Sequence, residues 1–448
     1  KNNGVLPIGK EKKIIIIGEL AEKMRFQGGG SSHIQPTMMK NAIEAIREKG
    51  YQAVYIRGYW NETKGLEEKQ LQNALEQLKR EYEKNECVIL YFIGLTEAYE
   101  GEGYDRKTLR IPQNQEKLLS EIAECVGKEN IAAISFGGAP MDFSFEKNVA
   151  SILHMYLGGQ AVGESVADLI SGEVNPSGKL AETIPFSEKD TPAWRYFAPP
   201  HDDVEYREGI FVGYRYYDKK KMDVLFPFGY GLSYTTFAYS NLRLDKKTMK
   251  DTEELTVSVD VTNTGDRTGK EVVQLYVADK ESTVIRPVKE LRDFVKIELA
   301  PGETKTVTFT LGKRAFAYYD VQIHDWQVET GEFEILIGAS SRDIALRDTV
   351  TVESTVKIPF HYTTDTTMGD IMSRPEAWKL VQSVLSKGMF GQNSEVNEGG
   401  DAAKEAISDE MNAAMLQYMP LRGPVSFGGG VSMADVQKLV DRLNAMEK

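Results

Sequence analysis

The chain has 448 residues, 41% of them hydrophobic and 10% aromatic, and its 67 acidic and 54 basic side chains give a formal net charge of -13. That length exceeds one ordinary domain, and the apolar content is enough for full cores, which excludes a mostly disordered chain. The acidic balance argues against a backbone-reading nucleic-acid binder and against an anionic membrane surface, and it fits a protein acting on a neutral ligand.

In chain order, KKIIIIGE (12–19) is a continuous β-branched run ending in glycine, the pattern of a buried parallel strand. Residues 39–50 then place apolar side chains at helical spacing before a glycine stop. A strand is predicted over 52–58, an amphipathic helix over 65–84, a strand over 87–94, a helix over 114–127 and a strand over 130–138. This alternation predicts a parallel sheet covered by helices on both faces, with ligands at the carboxyl ends of its strands. From about Leu242 the period changes to two, in runs at 254–265, 270–279, 288–299, 305–312 and 333–341. Turn signals separate these runs, so a small β-sandwich is expected to end near Ser354. Beyond it, 376–388, 402–419 and 433–445 read as helices, and the polar FGQNSEVNEGGD stretch (390–401) reads as mobile. The fold class is therefore α/β plus all-β with a helical tail, divided at 1–240, 241–355 and 356–448.

Cys87 and Cys125 are too few for a disulfide framework and read as buried free thiols. No apolar run reaches the ~18 residues of a membrane span. No stretch reads as a secretion signal, and the expected compartment is the cytoplasm. The five histidines (33, 154, 201, 324, 361) lack metal-ligand spacing, and no Gly-x-Ser-x-Gly elbow occurs, so no metal or other cofactor is expected. GGGSS (28–32) lacks the Gly-Lys-Ser of a phosphate loop; it fits a backbone lying close to a ligand, with Arg25 and Ser31 reaching in.

The stretch YEGEGYDR (99–106) sets Glu100, Glu102 and Asp105 just after the predicted strand at 87–94. It reads either as a solvated acidic turn or as the site of a catalytic carboxyl. Gly101 and Gly103 would let the turn present Glu102. Arg106 could pair with Asp105 or Glu100, and neighbouring carboxylates would hold one carboxyl partly protonated, as a general acid requires.

Further stretches carry a resemblance: RFQGGGSS (25–32), EGEGYDRKTLRIPQNQ (100–115), YREGIFVGYRYYD (206–218), FPFGYGLSYTTF (226–237), VTNTGDRTGKEVVQLYV (261–277) and RPVKELRDF (286–294). With these the chain resembles the C-terminal half of glycoside hydrolase family 3, chiefly the β-glucosidases. The resemblance implies an α/β sandwich domain over 1–240, a fibronectin type III-like domain over 241–355 and a helical tail. It implies a retaining glycosidase whose acid/base is Glu102, with Glu100 as rival, and with Asp105 and Arg106 in support. Ser31 matches a sugar-contacting position, and Arg25 is expected at the entrance. The family's nucleophile, an aspartate on an N-terminal barrel, has no counterpart motif in this sequence. The expected partners are thus a β-glucoside and a barrel-bearing chain or fragment, with no nucleic acid and no membrane. Whether the tail packs on the barrel or makes a dimer contact toward a higher oligomer stays open. The alternative is a non-catalytic carbohydrate-binding or adhesive module.

Overall fold

The computed structural model describes residues 1–63, 65, 67–84, 86–197, 203–388, 409–426 and 431–447. The segment expected to be mobile (390–401), the start of the helix predicted at 402–419, and His201 lie outside the described residues. The chain divides into two compact units, Lys1–Thr355 and Val356–Lys448.

The first unit begins with five parallel strands, β1 (Lys13–Ile17), β2 (Ala53–Ile56), β3 (Cys87–Gly94), β4 (Ile131–Phe136) and β5 (Ser151–His154), in the order β2-β1-β3-β4-β5. Four helices connect or follow them: α1 (Ala42–Glu48), α2 (Glu68–Glu81), α3 (Gln113–Val126) and α4 (Val162–Ser171). The isoleucine run of β1 explains the layering. Ile14 and Ile16 pack with Ile43 and Ile46 of α1 and Val162, Val166 and Ile170 of α4. Ile15 and Ile17 face the other way, onto Leu71, Leu75 and Leu78 of α2 and Leu118, Leu119 and Ile122 of α3. Both faces of the strand are dry, so its sequence is continuous and not alternating. Each such side chain contributes about 1.5 to 3 kcal/mol on full burial.

The fifth strand was not expected from the sequence. Ser151–His154 is only four residues long, at the sheet edge, and three of the four are partly exposed, so it lacks the apolar run that marks its neighbours.

After α5 (Tyr214–Lys219) the all-β part starts at β6 (Phe237–Leu244), ahead of the boundary expected at 241. It continues through β7 (Thr248–Lys250), β8 (Leu255–Asn263), β9 (Gly269–Asp279), β10 (Glu290–Leu299), β11 (Thr304–Leu311), β12 (Tyr318–Asp320), β13 (Asp325–Gln327), β14 (Gly331–Gly338) and β15 (Ile344–Glu353). A β10-β9-β14-β15-β7 sheet faces a β11-β8-β6 sheet, while β12 and β13 form a separate ribbon. In β8, Leu255, Val257, Val259 and Val261 point inward against Val273, Phe309 and Phe333, and their neighbours point to water. Strands β6, β7, β12, β13 and β15 were missed because they are short or mix polar residues into both faces.

The two parts of this unit are joined by buried polar and aromatic contacts. Tyr214 of α5 stacks on Phe228 at 4.8 Å and its hydroxyl accepts from Leu291 N at 2.7 Å. The Lys179 ammonium pairs with Glu271 of β9 at 3.0 Å, both side chains being nearly buried.

The second unit has α6 (Met368–Met372), α7 (Pro375–Gly388), α8 (Asp409–Tyr418), α9 (Gly423–Ser426) and α10 (Met433–Met446). Tyr362, Ile371, Val381, Leu421, Leu439 and Leu443 form its core. Ser432 caps α10 and Asp435 answers it, a reciprocal capping box that starts the helix close to the expected residue.

Candidate active site

In the order β2-β1-β3-β4-β5 the chain leaves β1 in one direction and returns to the other side at β3, so the topological switch point lies between β1 and β3. The loops leaving those two strands meet there. The loop after β1 carries Arg25, Gly28–Ser32 and His33, and the loop after β3 carries Glu97 and the turn Glu100–Arg106.

The turn itself is closed by a bridge between Gly101 and Tyr104. Its two glycines differ. A Cβ at Gly101 would sit 2.9 Å from the Tyr104 ring, whereas Gly103 is outside the left-handed region and faces open space. Neither glycine lies in the left-handed region, and a side chain at Gly101 would displace the exposed Tyr104 ring.

The three carboxylates have separate fates. Glu100 turns inward, its side chain 12% exposed, and meets Arg25 Nη2 at 3.2 Å. Its oxygens also accept from the backbone N–H groups of Gly138 at 2.8 Å and Ala139 at 3.1 Å, both in the loop after β4. Glu102 turns outward. Its Oε2 accepts from Ser31 N at 2.6 Å and its Oε1 from Ser31 Oγ at 2.8 Å, while its own N–H donates to Gly29 O at 3.2 Å. Asp105 is exposed and has no hydrogen-bond or ion-pair partner among the described residues.

Two expectations are corrected. Arg106 does not pair with Asp105 or Glu100; its guanidinium donates to the Pro140 carbonyl, because the turn carries it toward the loop after β4. The carboxylates also do not turn to one another. Glu100 is engaged by Arg25 and two amides, and the N–H and hydroxyl of Ser31 hold the Glu102 carboxyl below its ordinary value.

Arg25 is likewise not at an open entrance. It is 5% exposed, and its guanidinium lies between Glu97 at 3.1 Å and Glu100 at 3.2 Å, tying the two loops together. Glu97 and His33, which the sequence did not single out, complete this rim with a 2.8 Å contact from His33 Nε2. Gly30 sits at φ +106°, where a Cβ would lie 2.6 Å from Glu102 Oε2, so this glycine lets the backbone approach the carboxylate.

Away from the opening, His154 contacts Ser135 Oγ through Nδ1 at 2.9 Å and packs edge-on against Phe143. Burial pushes its imidazole down to about 4. The unfolded chain binds a proton on this histidine near pH 6.5 and the folded chain does so only near pH 4. Stability should therefore fall on acidification across that window, by up to ~3 kcal/mol from this group. Urea unfolding at a series of pH values checks this: His154→Gln should lack that increment of acid sensitivity, and equal slopes in both proteins would refute it.

The site is thus an exposed, hydrogen-bonded carboxylate at the switch point of a parallel α/β domain that is fused to a β-sandwich. The glycosyl hydrolase family 3 C-terminal domain matches residues 1–234, and a fibronectin type III-like domain matches 271–341. The chain belongs to glycoside hydrolase family 3. It is 45% identical over 447 residues to thermostable beta-glucosidase B of Acetivibrio thermocellus, covering 99% of this chain and 57% of that protein. It is 41% identical to an exo-alpha-(1->6)-L-arabinopyranosidase of Bifidobacterium breve, over 86% of this chain and 50% of that one. The crystal structure of a family 3 beta-glucosidase from Bifidobacterium adolescentis superposes with a TM-score of 0.77 at 38% identity, covering 85% of this chain and 55% of that one. The chain thus spans about half the length of the relatives it matches.

Proposed function

We propose that this chain supplies the general acid/base of a retaining glycosidase, and that Glu102 is that residue. The observation that carries the proposal is the pair of fates at the turn: Glu100 turns inward onto Arg25 and two backbone amides, while Glu102 is exposed with both oxygens on Ser31. In a retaining mechanism the acid/base and a nucleophilic carboxylate stand about 5 Å apart, so Glu102 needs a partner carboxylate. The partner is an aspartate on a barrel outside residues 1–448, in the same protein or in a separate chain. Ile34, Met38, Trp60 and Tyr104, on the loops leaving β1, β2 and β3, are 61%, 78%, 38% and 50% exposed, which supports docking of the barrel over these strand ends.

Binding a sugar between Ser31 and the barrel would remove water from Glu102. Desolvation raises a carboxyl, and engaging the Ser31 hydroxyl with the sugar would raise it further, which turns a resting carboxylate into a proton donor. The substrates proposed are β-glucosides first, with α-L-arabinopyranosides included because one relative bears that name.

The test assays aryl β-glucosides and aryl α-L-arabinopyranosides with the 448-residue chain alone and with the barrel part added. Turnover only in the mixture is the expected result; full turnover by the chain alone would sink the proposal. Calorimetry with glucose addresses the binding-module alternative, which predicts tight binding by the chain alone.

A further inference from the structure

The loop that holds Glu102 has little to hold it in turn. Residues 28–34 contain three glycines, and from Gly30 to Ile34 every residue is exposed. Apolar burial cannot fix such a segment, and flexible glycines make its ordering entropically costly. Its shape rests on hydrogen bonds. His33 N donates to Gly30 O at 3.1 Å, closing the tip. At the neck the Gln27 amide spans the loop: its Nε2 donates to Ile34 O at 3.2 Å and its Oε1 accepts from Ile34 N at 2.9 Å. Only one orientation of the amide satisfies both bonds, because Ile34 offers one donor and one acceptor.

We propose that Gln27 is a positioning residue for Glu102: by closing the neck of the 28–33 loop it keeps Ser31 where its N–H and hydroxyl engage both carboxylate oxygens. Gln27 itself touches neither Glu102 nor a substrate position, and acts through Ser31 alone. This inference deepens the assignment of Glu102 and rests on it for its catalytic meaning, but not for its test.

The charged groups around Glu102 leave Ser31 as its main control. Arg25 is held by Glu97 and Glu100, His33 by Glu97, and Arg106 by the Pro140 carbonyl. No cation pairs with Glu102 among the described residues. Opening the neck should therefore be felt at Glu102 as the loss of the Ser31 bonds.

The experiment is a carbon-13 NMR titration of the Glu102 carboxyl in the full 448-residue chain, with the resonance assigned by its disappearance in Glu102→Gln. Ser31→Ala should move the Glu102 titration upward, and Gln27→Ala should move it upward at least as far, since it displaces the Ser31 N–H as well as the hydroxyl. The melting temperature should stay within the error of the parent. Gln27→Met, of similar size and unable to make either bond, gives the same readout if Gln27→Ala folds poorly. A Glu102 titration unchanged in the Gln27 variants, or unchanged in Ser31→Ala, would overturn the proposal. In the barrel-complemented enzyme the same variants should lower kcat more than they raise KM. Upward titration shifts with no role for Glu102 in turnover would sink the acid/base assignment and leave the loop inference standing.

Discussion

Glu102→Ala in the barrel-complemented enzyme is expected to slow hydrolysis of substrates with poor leaving groups by roughly 10² to 10⁴-fold. Aryl glucosides with acidic phenols should be affected far less in the first step, since such phenolates leave without a proton. The second step, attack of water on the glycosyl-enzyme, loses its base, so the covalent intermediate should accumulate. Azide, a small nucleophile that needs no base, should fill the space left by the side chain and restore turnover with formation of the glycosyl azide. The physical ground is the exposure of Glu102 and its presentation at the switch point by Ser31. A uniform loss across leaving groups with no azide rescue would point to a structural role instead.

Glu100→Ala is expected to behave in the opposite way. It removes a carboxylate, 12% exposed, that meets Arg25 and two backbone amides, and it leaves the Arg25 side chain, which is 4% exposed, with Glu97 as its one ion-pair partner among the described residues, beside a 3.4 Å bond to the backbone carbonyl of residue 100. Breaking a buried ion pair from one side typically costs several kcal/mol, and the partial compensation by Glu97 places the expected loss at about 3 kcal/mol. Urea unfolding of the chain measures it directly. Activity should fall as the turn loosens, equally for good and poor leaving groups, and azide should restore nothing. If Glu100→Ala keeps its stability and shows azide rescue, the acid/base assignment moves by two residues to Glu100.

The contrast between the two glutamates shows where sequence reading works. YEGEGYDR stands at the end of a buried apolar run, so its placement at a strand terminus follows from local pattern alone. Which glutamate is free does not. The groups that decide it come from elsewhere: Arg25 is 75 residues from Glu100, Ser31 is 71 from Glu102, and Gly138 is 38 from Glu100. Arg106 failed as a pair for Asp105 for the same reason, since its partner is a carbonyl 34 residues away. Glu97 and His33 carry no motif of their own and became visible only when the two loops met.

The sequence by itself determined the layers of this protein. A short β-branched run ending in glycine, such as Ile14–Ile17, reads as a central parallel strand, and a period-two stretch such as Leu255–Asn263 reads as a half-buried one. Those patterns are local, because each residue's face is set by the geometry of its own element. Only the tertiary structure decided that Glu100 is an inward-turned anchor, Arg25 a tie between loops, and Glu102 the carboxylate left facing outward. Charge, burial and hydrogen bonding at a site depend on groups that folding brings together from distant parts of the chain, and no spacing along the sequence records them.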